Sequence, residues 1–462
     1  MTSLILNREA LATTPARALV LAIVEEAIEA VLPEVLLPQA LSVRDGALHV
    51  TGRTVPLPNG VWILGAGKAS AGMAAAAENL LGDAVRGGTV VTVRDAAGPK
   101  PKRVEVLYGD HPVPGQHSLA STQRLLETPV APGDAVLWLI SGGASALLCA
   151  PAMGLTLEEK QEANRLLVRS GATIDQINIV RKHLSAVKGG RLREHFGEAS
   201  FITLALSDVV SGRLDVIGSG PSVPDSSTYQ DALSVIETFS LRDRMPLAVM
   251  RHLEAGTAEL MARQAHHERD QAARPELVEG RAAGDIATVI GSPARAATAA
   301  ARSARKLAGE STHVEVLADR LGDEARSVAS GLGSIYRYWS RERTGPQVII
   351  AAGEPTVIVR GDGAGGRCQE LAAALISEVH GLKGCAVLCA ATDGQDFLPG
   401  AGGALVDGDT ALVARGNGVR VQTYLDRNDT NALHRALGTL IESRPTGTNV
   451  CDLVVAVLNY GA

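Results

Sequence analysis

The sequence has few aromatic residues and few cysteines. Phe, Trp and Tyr make up only 3% of its 462 residues, although apolar residues reach 46%. Its hydrophobic cores must therefore be built from Ala, Val and Leu, which is typical of sheets covered by helices. The five cysteines are an odd number without paired metal-ligand spacing, which argues against a zinc module and predicts a reducing compartment.

Long hydrophobic runs and an excess of positive charge are also missing. No run of about 18 apolar residues occurs, and no basic region followed by an apolar core opens the chain, so we predict a cytoplasmic protein without a membrane span. The net charge of −6 gives no sign of nucleic acid or an anionic membrane as a partner. An anionic ligand would have to be held by local groups.

The length of the chain exceeds what one hydrophobic core usually holds, so we predict two domains. Apolar strands alternate with helical patterns, which indicates an α/β fold. We predict an N-terminal Rossmann-like domain at 1–260, with a mostly parallel sheet flanked by helices, and a smaller C-terminal α/β domain at 285–462. Between them, 261–284 is polar and loses helical periodicity, so we predict an insertion or junction loop there.

The stretch Ala135–Leu148 predicts a buried strand, a glycine turn and the start of a helix. Gly142 and Gly143 let a ligand approach the backbone amides closely, and Ser141 and Ser145 add hydroxyl donors. Together with unpaired N–H groups at a helix start, they suit a phosphate or a carboxylate. An ordinary turn without a ligand is the alternative.

A second strand, turn and helix are predicted at Val61–Met73, where the turn reads GAGKAS. Its third glycine position is Ser70, and no clear acidic residue ends the next strand, so the turn is a weak nicotinamide fingerprint. Lys68 would add a mobile positive charge to the fixed amide dipoles. A solvated surface lysine is the alternative.

Two further candidates lie in the first half of the chain. The two prolines and the glycine of Asp110–Gly115 form a stiff loop that can hold His111, or that serves only as a structural turn. Asp208 follows an apolar strand, where a carboxylate can hold a metal, accept a proton or cap a helix. Ser219 lies in a Gly-Ser-Gly-Pro segment that predicts a third set of exposed amides.

A basic helix is predicted at Ile177–Leu192, with one face packed and the other lining an anion site. In the second half, glycines crowd the loop before Arg367, whose planar fork suits a carboxylate or a phosphate. Asp393 follows an apolar strand and has the ingredients of a magnesium site, or of a simple turn. Asn449 adds polar lining before the last strand.

Eight stretches together closely resemble the class II glycerate kinases of the MOFRL family, which phosphorylate D-glycerate at its 2-hydroxyl. In order, they are GAGKAS, GDHPVPG, LISGGASALL, INIVRKHLSAVKGGRL, SDVVSGRLDVIGSGPSVPD, GGRCQEL, ATDGQD and PTGTNV. The resemblance implies two α/β domains with the active site in the cleft between them. It also implies ATP and Mg²⁺, and catalytic roles for Lys68, Asp208 and Arg367.

The remaining site residues follow as hypotheses from the motifs and the resemblance. The cofactor-binding set is predicted to be Ser141, Gly142, Gly143, Ser145, Gly365 and Gly366. The substrate-binding set is predicted to be Gly67, His111, Ser219 and Asn449. Asp208 and Asp393 are the predicted metal ligands, and either of them could instead activate the 2-hydroxyl.

This sequence departs from the family pattern at two positions and at one insertion. Cys368 replaces the usual Asn of the Gly-Gly-Arg motif, and a thiol cannot replace the hydrogen bonds of an amide. Phe397 replaces the second glycine of the usual Asp-Gly-x-Asp-Gly stretch, and the segment around 264–283 is unusual.

Two other functions stay open at this point, a hydroxypyruvate reductase that uses NAD(P)H and a non-catalytic module that binds sugar phosphates. The altered fingerprint at Gly65–Ser70 argues against the first. The expected partners are D-glycerate and ATP, and the sequence leaves open whether the protein is a homodimer.

Overall fold

The computed structural model describes residues 3–208, 212–270 and 285–461, with only the backbone described for 259–270 and 320. The chain divides into two compact units. The N-unit comprises Ala40–Ala205 and Arg213–Val289, and the C-unit comprises Met1–Gln39, Leu206–Gly212 and Ile290–Ala462. The predicted two-domain α/β fold is confirmed. Residues 3–39 group with the C-terminal part of the chain, and the predicted domain bounds stay a prediction.

The strands are β1 Leu41–Arg44, β2 Ala47–Val50, β3 Arg53–Pro56, β4 Val61–Ala66, β5 Val85–Thr92, β6 Glu105–Tyr108, β7 Ala135–Ile140, β8 Ser200–Leu206, β9 Ile286–Gly291, β10 His313–Leu321, β11 Gln347–Gly353, β12 Ala386–Ala391, β13 Ala401–Asp407, β14 Leu440–Glu442 and β15 Asp452–Leu458. The helices are α1 Arg8–Leu11, α2 Pro15–Glu29, α3 Pro33–Ala40, α4 Ser70–Leu81, α5 Gln116–Leu126, α6 Ala144–Leu147, α7 Leu157–Arg169, α8 Ile174–His183, α9 Arg191–His195, α10 Tyr229–Thr238, α11 Leu247–Asp270, α12 Pro293–Ala308, α13 Ala325–Glu342, α14 Arg367–Glu378, α15 Thr410–Gly416, α16 Val421–Asp426 and α17 Thr430–Leu437. Short 3₁₀ turns occupy Gly82–Ala84, Ile217–Ser219 and Arg242–Arg244.

The N-unit is built on a six-stranded sheet in the order β6-β5-β4-β7-β8-β9. The pairs from β6 to β8 are all parallel. Every residue of β7 is buried, as expected for a parallel strand covered on both faces. The turns after β4 and β7 therefore lie side by side at the carboxyl edge of the sheet. A separate three-stranded antiparallel sheet, β1-β2-β3, is not predicted from the sequence.

The C-unit contains a mixed sheet in the order β10-β11-β15-β12-β13-β14. β15 runs antiparallel to both β11 and β12, so its first residue, Asp452, pairs with Gly353 and Ala391 at their carboxyl ends. Alternate residues of these strands point to opposite faces. One face packs with α2 and α12, and the other with α13 and α14. The edge that holds Asp452 is thus fixed by two apolar layers.

Two predicted features of the N-unit are wrong in detail. The basic helix predicted at 177–192 ends at His183, and residues 184–190 are buried except for Ala186. Helix α11 continues to Asp270, although the sequence predicts a break after Arg263. The rest of the predicted insertion, 271–284, lies outside the described residues. Within the described part of the chain, no helix has the length and apolar character needed to cross a membrane.

Candidate functional site

The two glycine turns predicted in the N-unit lie against each other. The Lys68 amide donates to the Gly142 carbonyl at 2.9 Å, and the Ala69 amide donates to Ser141 Oγ at 3.0 Å. A Cβ on Gly67, where φ is +134°, would overlap Ser141 Oγ. Glycine is therefore required at this position by the close approach of the two turns.

Lys68 and His111 meet at Gly143. A Cβ built on Gly143 would lie 3.3 Å from both Lys68 Cγ and His111 Cδ2, and its φ of +83° also favours glycine. The Asp110 carboxylate holds the loop of His111 by accepting hydrogen bonds from the amides of His117 and Ser118 at the start of α5. The structure thus brings three predicted site residues from three separate stretches of sequence together.

The Ser141–Ser145 turn offers hydrogen-bond donors. Among the described residues, the amides of Gly142, Gly143 and Ser145 donate to no protein acceptor. The helix that follows, α6, has only four residues, so its dipole contributes less than the sequence predicts. Free amides in a glycine turn form a concavity suited to an anion.

Lys188 is one of the basic residues of the segment predicted to line an anion site, for which the sequence left open which side chain faces inward. It is 2% exposed, and its Nζ donates to the carbonyls of Ser145 at 3.0 Å and Gly218 at 3.1 Å. Burial lowers its pKa to about 7, and the nearby Lys160 adds to this shift. The helical period at 177–192 conceals this position, and the Gly189-Gly190 pair after it is the signal that the chain leaves the helix.

The predicted substrate residue Ser219 is fully buried in the same region. Its Oγ donates to Asn178 Oδ1 at 3.0 Å, and its φ is +62°. The Gly189 and Gly190 amides donate to the carbonyls of Ser219 and Gly220. These contacts give Ser219 a packing role, and its contact with a substrate stays a prediction.

In the C-unit, Arg367 is the first residue of α14 and is held by two acids. Its Nε lies 3.0 Å from Asp452 Oδ2 and its Nη2 lies 3.3 Å from Asp452 Oδ1, while Nη1 pairs with Glu354. The side chain remains 38% exposed. Burial raises the pKa of Asp452 to about 7, against the opposing effect of Arg367. The sequence predicts the arginine but misses both acids. The only signal for Asp452 is its position as an acidic residue at the start of a buried strand.

Asp208 and Asn449 lie near this arginine–acid cluster. The Cys451 thiol donates to the Asp208 carbonyl at 2.7 Å, and Cys451 directly precedes Asp452. Asn449 is 8% exposed, and the amide of the next residue, Val450, donates to Thr392 Oγ1 at 2.9 Å. The segment that begins at Asn449 therefore packs against the end of β12, next to Asp393.

The two aspartates after β12 have different surroundings. Asp393 Oδ1 accepts the Gln395 amide at 3.0 Å, which closes a tight turn. Asp396 is buried and accepts the amides of Cys368 at 3.0 Å and Gln369 at 2.8 Å. Asp396 thus caps α14 internally, and these two amides are not available to a ligand.

The glycines before Arg367 are closely packed. A Cβ on Gly366 would overlap the Asp396 carboxylate, and one on Gly365 would overlap Thr430 Oγ1. Packing therefore accounts for both glycines, and their contact with a cofactor stays a prediction. Cys368 lies on α14 and its side chain is 1% exposed within the core, so the replacement of the family Asn falls on a buried position.

The donors present fit a nucleotide and a magnesium ion. The free amides and Lys68 suit phosphate oxygens, and Mg²⁺ usually takes one or two carboxylates together with phosphate oxygens and water. Asp208 and Asp393 in the C-unit are carboxylates of this kind, and their contact with a metal stays a prediction. Within the described residues, no group of three or more His, Cys, Asp or Glu side chains forms a metal site of its own.

Comparisons with known proteins cover most of the chain. The family model of a domain of unknown function, DUF4147, matches residues 19–254, and the model of the MOFRL family matches residues 347–452. A D-glycerate 2-kinase of Thermotoga maritima is 36% identical over 95% of this chain and 98% of its own length. A putative hydroxypyruvate reductase of Agrobacterium vitis is 35% identical over 85% of this chain and 97% of its own length.

A solved structure gives the same result for the fold. The crystal structure of a glycerate kinase from Thermotoga maritima has a TM-score of 0.78 and 33% identity, over 95% of this chain and 98% of that chain. The sequence match and the structural match each cover 95% of this chain. The chain therefore belongs to the glycerate kinase family that joins a DUF4147 region to a MOFRL region.

Proposed function

We propose that this protein is an ATP-dependent glycerate 2-kinase, which transfers the γ-phosphoryl group of ATP to the 2-hydroxyl of D-glycerate. The observation that carries the proposal is the 36% identity, over nearly the full length of both chains, to a protein named D-glycerate 2-kinase. The donors of both units support it, because phosphoryl transfer depends mainly on positioning and on neutralising charge.

The N-unit residues are proposed to hold negatively charged oxygens. Lys68 and His111 both lie close to Gly143, beside the free amides of the Ser141–Ser145 turn. An ammonium on a flexible stem can follow the phosphoryl group as its charge changes, while the amides stay fixed. In this proposal Lys68 neutralises charge and the turn sets the position of the ligand.

The C-unit residues are proposed to orient the acceptor and the metal. Arg367 is fixed by Asp452 and Glu354, so its guanidinium is held in one place while more than a third of the side chain is accessible. One of Asp208 and Asp393 would hold Mg²⁺ and the other would orient and deprotonate the 2-hydroxyl. Bound ATP would supply the phosphoryl group, and Mg²⁺ would offset the charge on phosphate oxygens.

The product of the reaction tests the proposal. The protein is incubated with D-glycerate, ATP and Mg²⁺, and enolase is added to detect 2-phosphoglycerate directly. We expect enolase to act without a mutase, which identifies phosphorylation at the 2-hydroxyl. A product that enolase accepts only after mutase is added would be 3-phosphoglycerate and would contradict the assigned position.

A lysine substitution separates a kinase from a module that only binds sugar phosphates. Lys68→Ala is expected to lower kcat by about a hundredfold or more, because a charge partner in the transition state contributes a few kcal/mol. Lys102→Ala, at an exposed lysine of the same unit, is the control and should leave kcat unchanged. If wild-type protein binds both ligands but forms no ADP in excess over the control without glycerate, the kinase proposal fails.

The reductase names among the relatives favour a second candidate, NAD(P)H-dependent reduction of hydroxypyruvate. The turn after β4 argues against it. Ser70 replaces the third glycine and its Oγ donates to the Gly67 and Val91 carbonyls, and β5 ends in Thr92, whose hydroxyl donates to the Lys68 carbonyl. No acid thus follows β5 directly to bind a ribose. When the protein is incubated with hydroxypyruvate and NADH or NADPH, the absorbance of the reduced nicotinamide should not fall.

A further inference from the structure

Lys188 joins two loops of the N-unit from within the interior. Its ammonium donates to the Ser145 carbonyl in the first loop and to the Gly218 carbonyl in the second, at 3.0 and 3.1 Å. Its side chain is essentially inaccessible to water. The Ser145 carbonyl is the last group of the Ser141–Ser145 turn, so its contact with Lys188 anchors the end of the turn and restrains a change in the turn's conformation.

The positive charge of Lys188 is not balanced by the protein. Within the described residues, no carboxylate lies within ion-pair distance of Lys188 or of the equally buried Lys160, whose Nζ donates to the Leu184 carbonyl at 2.8 Å. The charged and titratable groups that act on Lys188 are Lys160 on α7, Arg181 on α8 and the buried thiol of Cys149. Two of these three are cationic. A buried cation without a counter-ion is unfavourable and gains most from an anion placed nearby.

We propose that Lys188 is a positioning residue for the binding of an oxyanion at the Ser141–Ser145 turn, where it fixes the turn and supplies the buried positive charge that the bound phosphate or carboxylate balances. This inference deepens the proposed function, on which it rests for the chemistry of the ligand. ADP and D-glycerate are the two sources of such an anion. Lys188 itself touches neither, and acts through the Ser145 peptide and through its charge.

The charge coupling has a definite sign. In the free protein Lys188 loses its proton near pH 7, because burial lowers its pKa. A bound anion favours the ammonium, so binding takes up a proton at and above pH 7. Affinity should therefore be highest below pH 7 and should fall as the pH rises, approaching tenfold per pH unit.

The test compares Lys188→Met with Lys160→Met by titration calorimetry. Both variants remove a buried lysine, but only Lys188 contacts the turn. ADP with Mg²⁺ and D-glycerate are titrated separately at pH 6.5, 7.5 and 8.5, in two buffers of different ionisation enthalpy that report proton uptake. Proton uptake measured with Lys188→Met gives the contribution of the ligand's own ionisation, which is subtracted from the wild-type value.

For one of the two ligands we expect wild-type protein to take up protons at pH 7.5 and Lys188→Met to take up none. At pH 6.5 the variant should bind that ligand about tenfold more weakly, and at pH 8.5 the two affinities should converge. Lys160→Met should change affinity less than threefold at pH 6.5, where Lys188 is already mostly protonated. The ligand that shows this pattern is the one bound at the turn.

Several outcomes would overturn the inference. One is a wild-type protein that takes up no proton with either ligand, a measurement that needs no variant to fold. Another is a loss of affinity in Lys188→Met that is the same at all three pH values, which indicates a purely structural role. Failure of the proposed function is distinguishable, because it leaves the calorimetric pattern intact while the enolase assay detects no product.

Discussion

Phe397 has a backbone conformation that suits glycine, the residue usual at this position in the family. Its φ is +66° and its side chain is 81% exposed, so the ring gains little from packing. A bulky residue with positive φ costs about 1–2 kcal/mol relative to glycine. We predict that Phe397→Gly raises the free energy of unfolding by about 1 kcal/mol, measured by urea denaturation.

Phe397→Ala is the control for this prediction, because it removes the ring but keeps the strained backbone. It should change stability by less than about 0.5 kcal/mol. A Phe397→Gly variant that is less stable than wild type would mean that the ring makes contacts that its exposure does not suggest.

Lys160 makes stability depend on pH. Burial lowers its pKa from the ordinary value of 10.5 to about 8, so between pH 8 and pH 10.5 the unfolded chain binds more protons than the folded protein. Stability therefore rises with pH in this window. We predict that wild type gains about 1 kcal/mol relative to Lys160→Met between pH 8 and pH 9. Parallel pH dependence of the two proteins would contradict the assignment.

At the scale of elements, the start of α14 depends on the fit between Gly366 and Asp396. A methyl group at Gly366 would displace the Asp396 carboxylate, which accepts two amides of the helix, and would disturb Arg367 one residue later. We predict that Gly366→Ala lowers the free energy of unfolding by about 2–4 kcal/mol and reduces kcat. Circular dichroism and the kinase assay measure the two effects.

Gly331 provides a matched control for this substitution. It lies inside α13 of the same unit, with no atom within 4 Å of the added Cβ. Gly331→Ala should be neutral or should stabilise the protein by up to about 1 kcal/mol, since alanine favours helix. Equal losses in the two variants would show that the Asp396 contact is not the cause.

The elements show which parts of the fold can be predicted from the sequence. The strands β4, β7, β8, β11 and β12 follow from short apolar runs, because strands buried on both faces contain little else. The helical pattern of 177–192 misleads, because apolar spacing continues where the chain turns inward after His183. Periodicity reports which side chains are buried, but it does not show whether a buried lysine such as Lys188 is held by carbonyls from other loops.

Part of the candidate site could be predicted from the sequence, and part could not. Glycine turns after neighbouring parallel strands indicate where Lys68 and Ser141 meet, since the carboxyl ends of such strands share one edge. Asp452 was not predictable, because its partner Arg367 is 85 residues away and the pairing arises from the antiparallel register of β15. Local patterns contain no information about such register.

At the scale of the whole molecule, the first 39 residues are tied into the C-unit by a buried ion pair. Arg17 Nε on α2 lies 2.6 Å from Asp407 Oδ2 at the end of β13, and both side chains are about nine-tenths buried. Removing one partner of a buried pair leaves an unbalanced charge. We predict that Arg17→Met lowers the free energy of unfolding by about 3 kcal/mol, measured by urea denaturation.

An exposed pair between α2 and α12 serves as the control. Lys306 and Glu26 lie 3.0 Å apart, but the lysine side chain is 68% exposed. Lys306→Met should change stability by less than about 1 kcal/mol. Similar effects of the two substitutions would contradict the buried role of Arg17. Composition along the chain cannot show that α2 packs with strands made of residues 348–457.

The packing of α2 with the C-unit separates two contacting elements in the order of synthesis. Helix α2 precedes the N-unit in the sequence, yet its apolar side packs on β15, which follows the N-unit in the sequence and lies between β11 and β12. Strands β4 to β8 are all made in the interval. We therefore expect the N-unit to be synthesised before α2 can pack on β15, so that α2 stays without its partner strand during this interval.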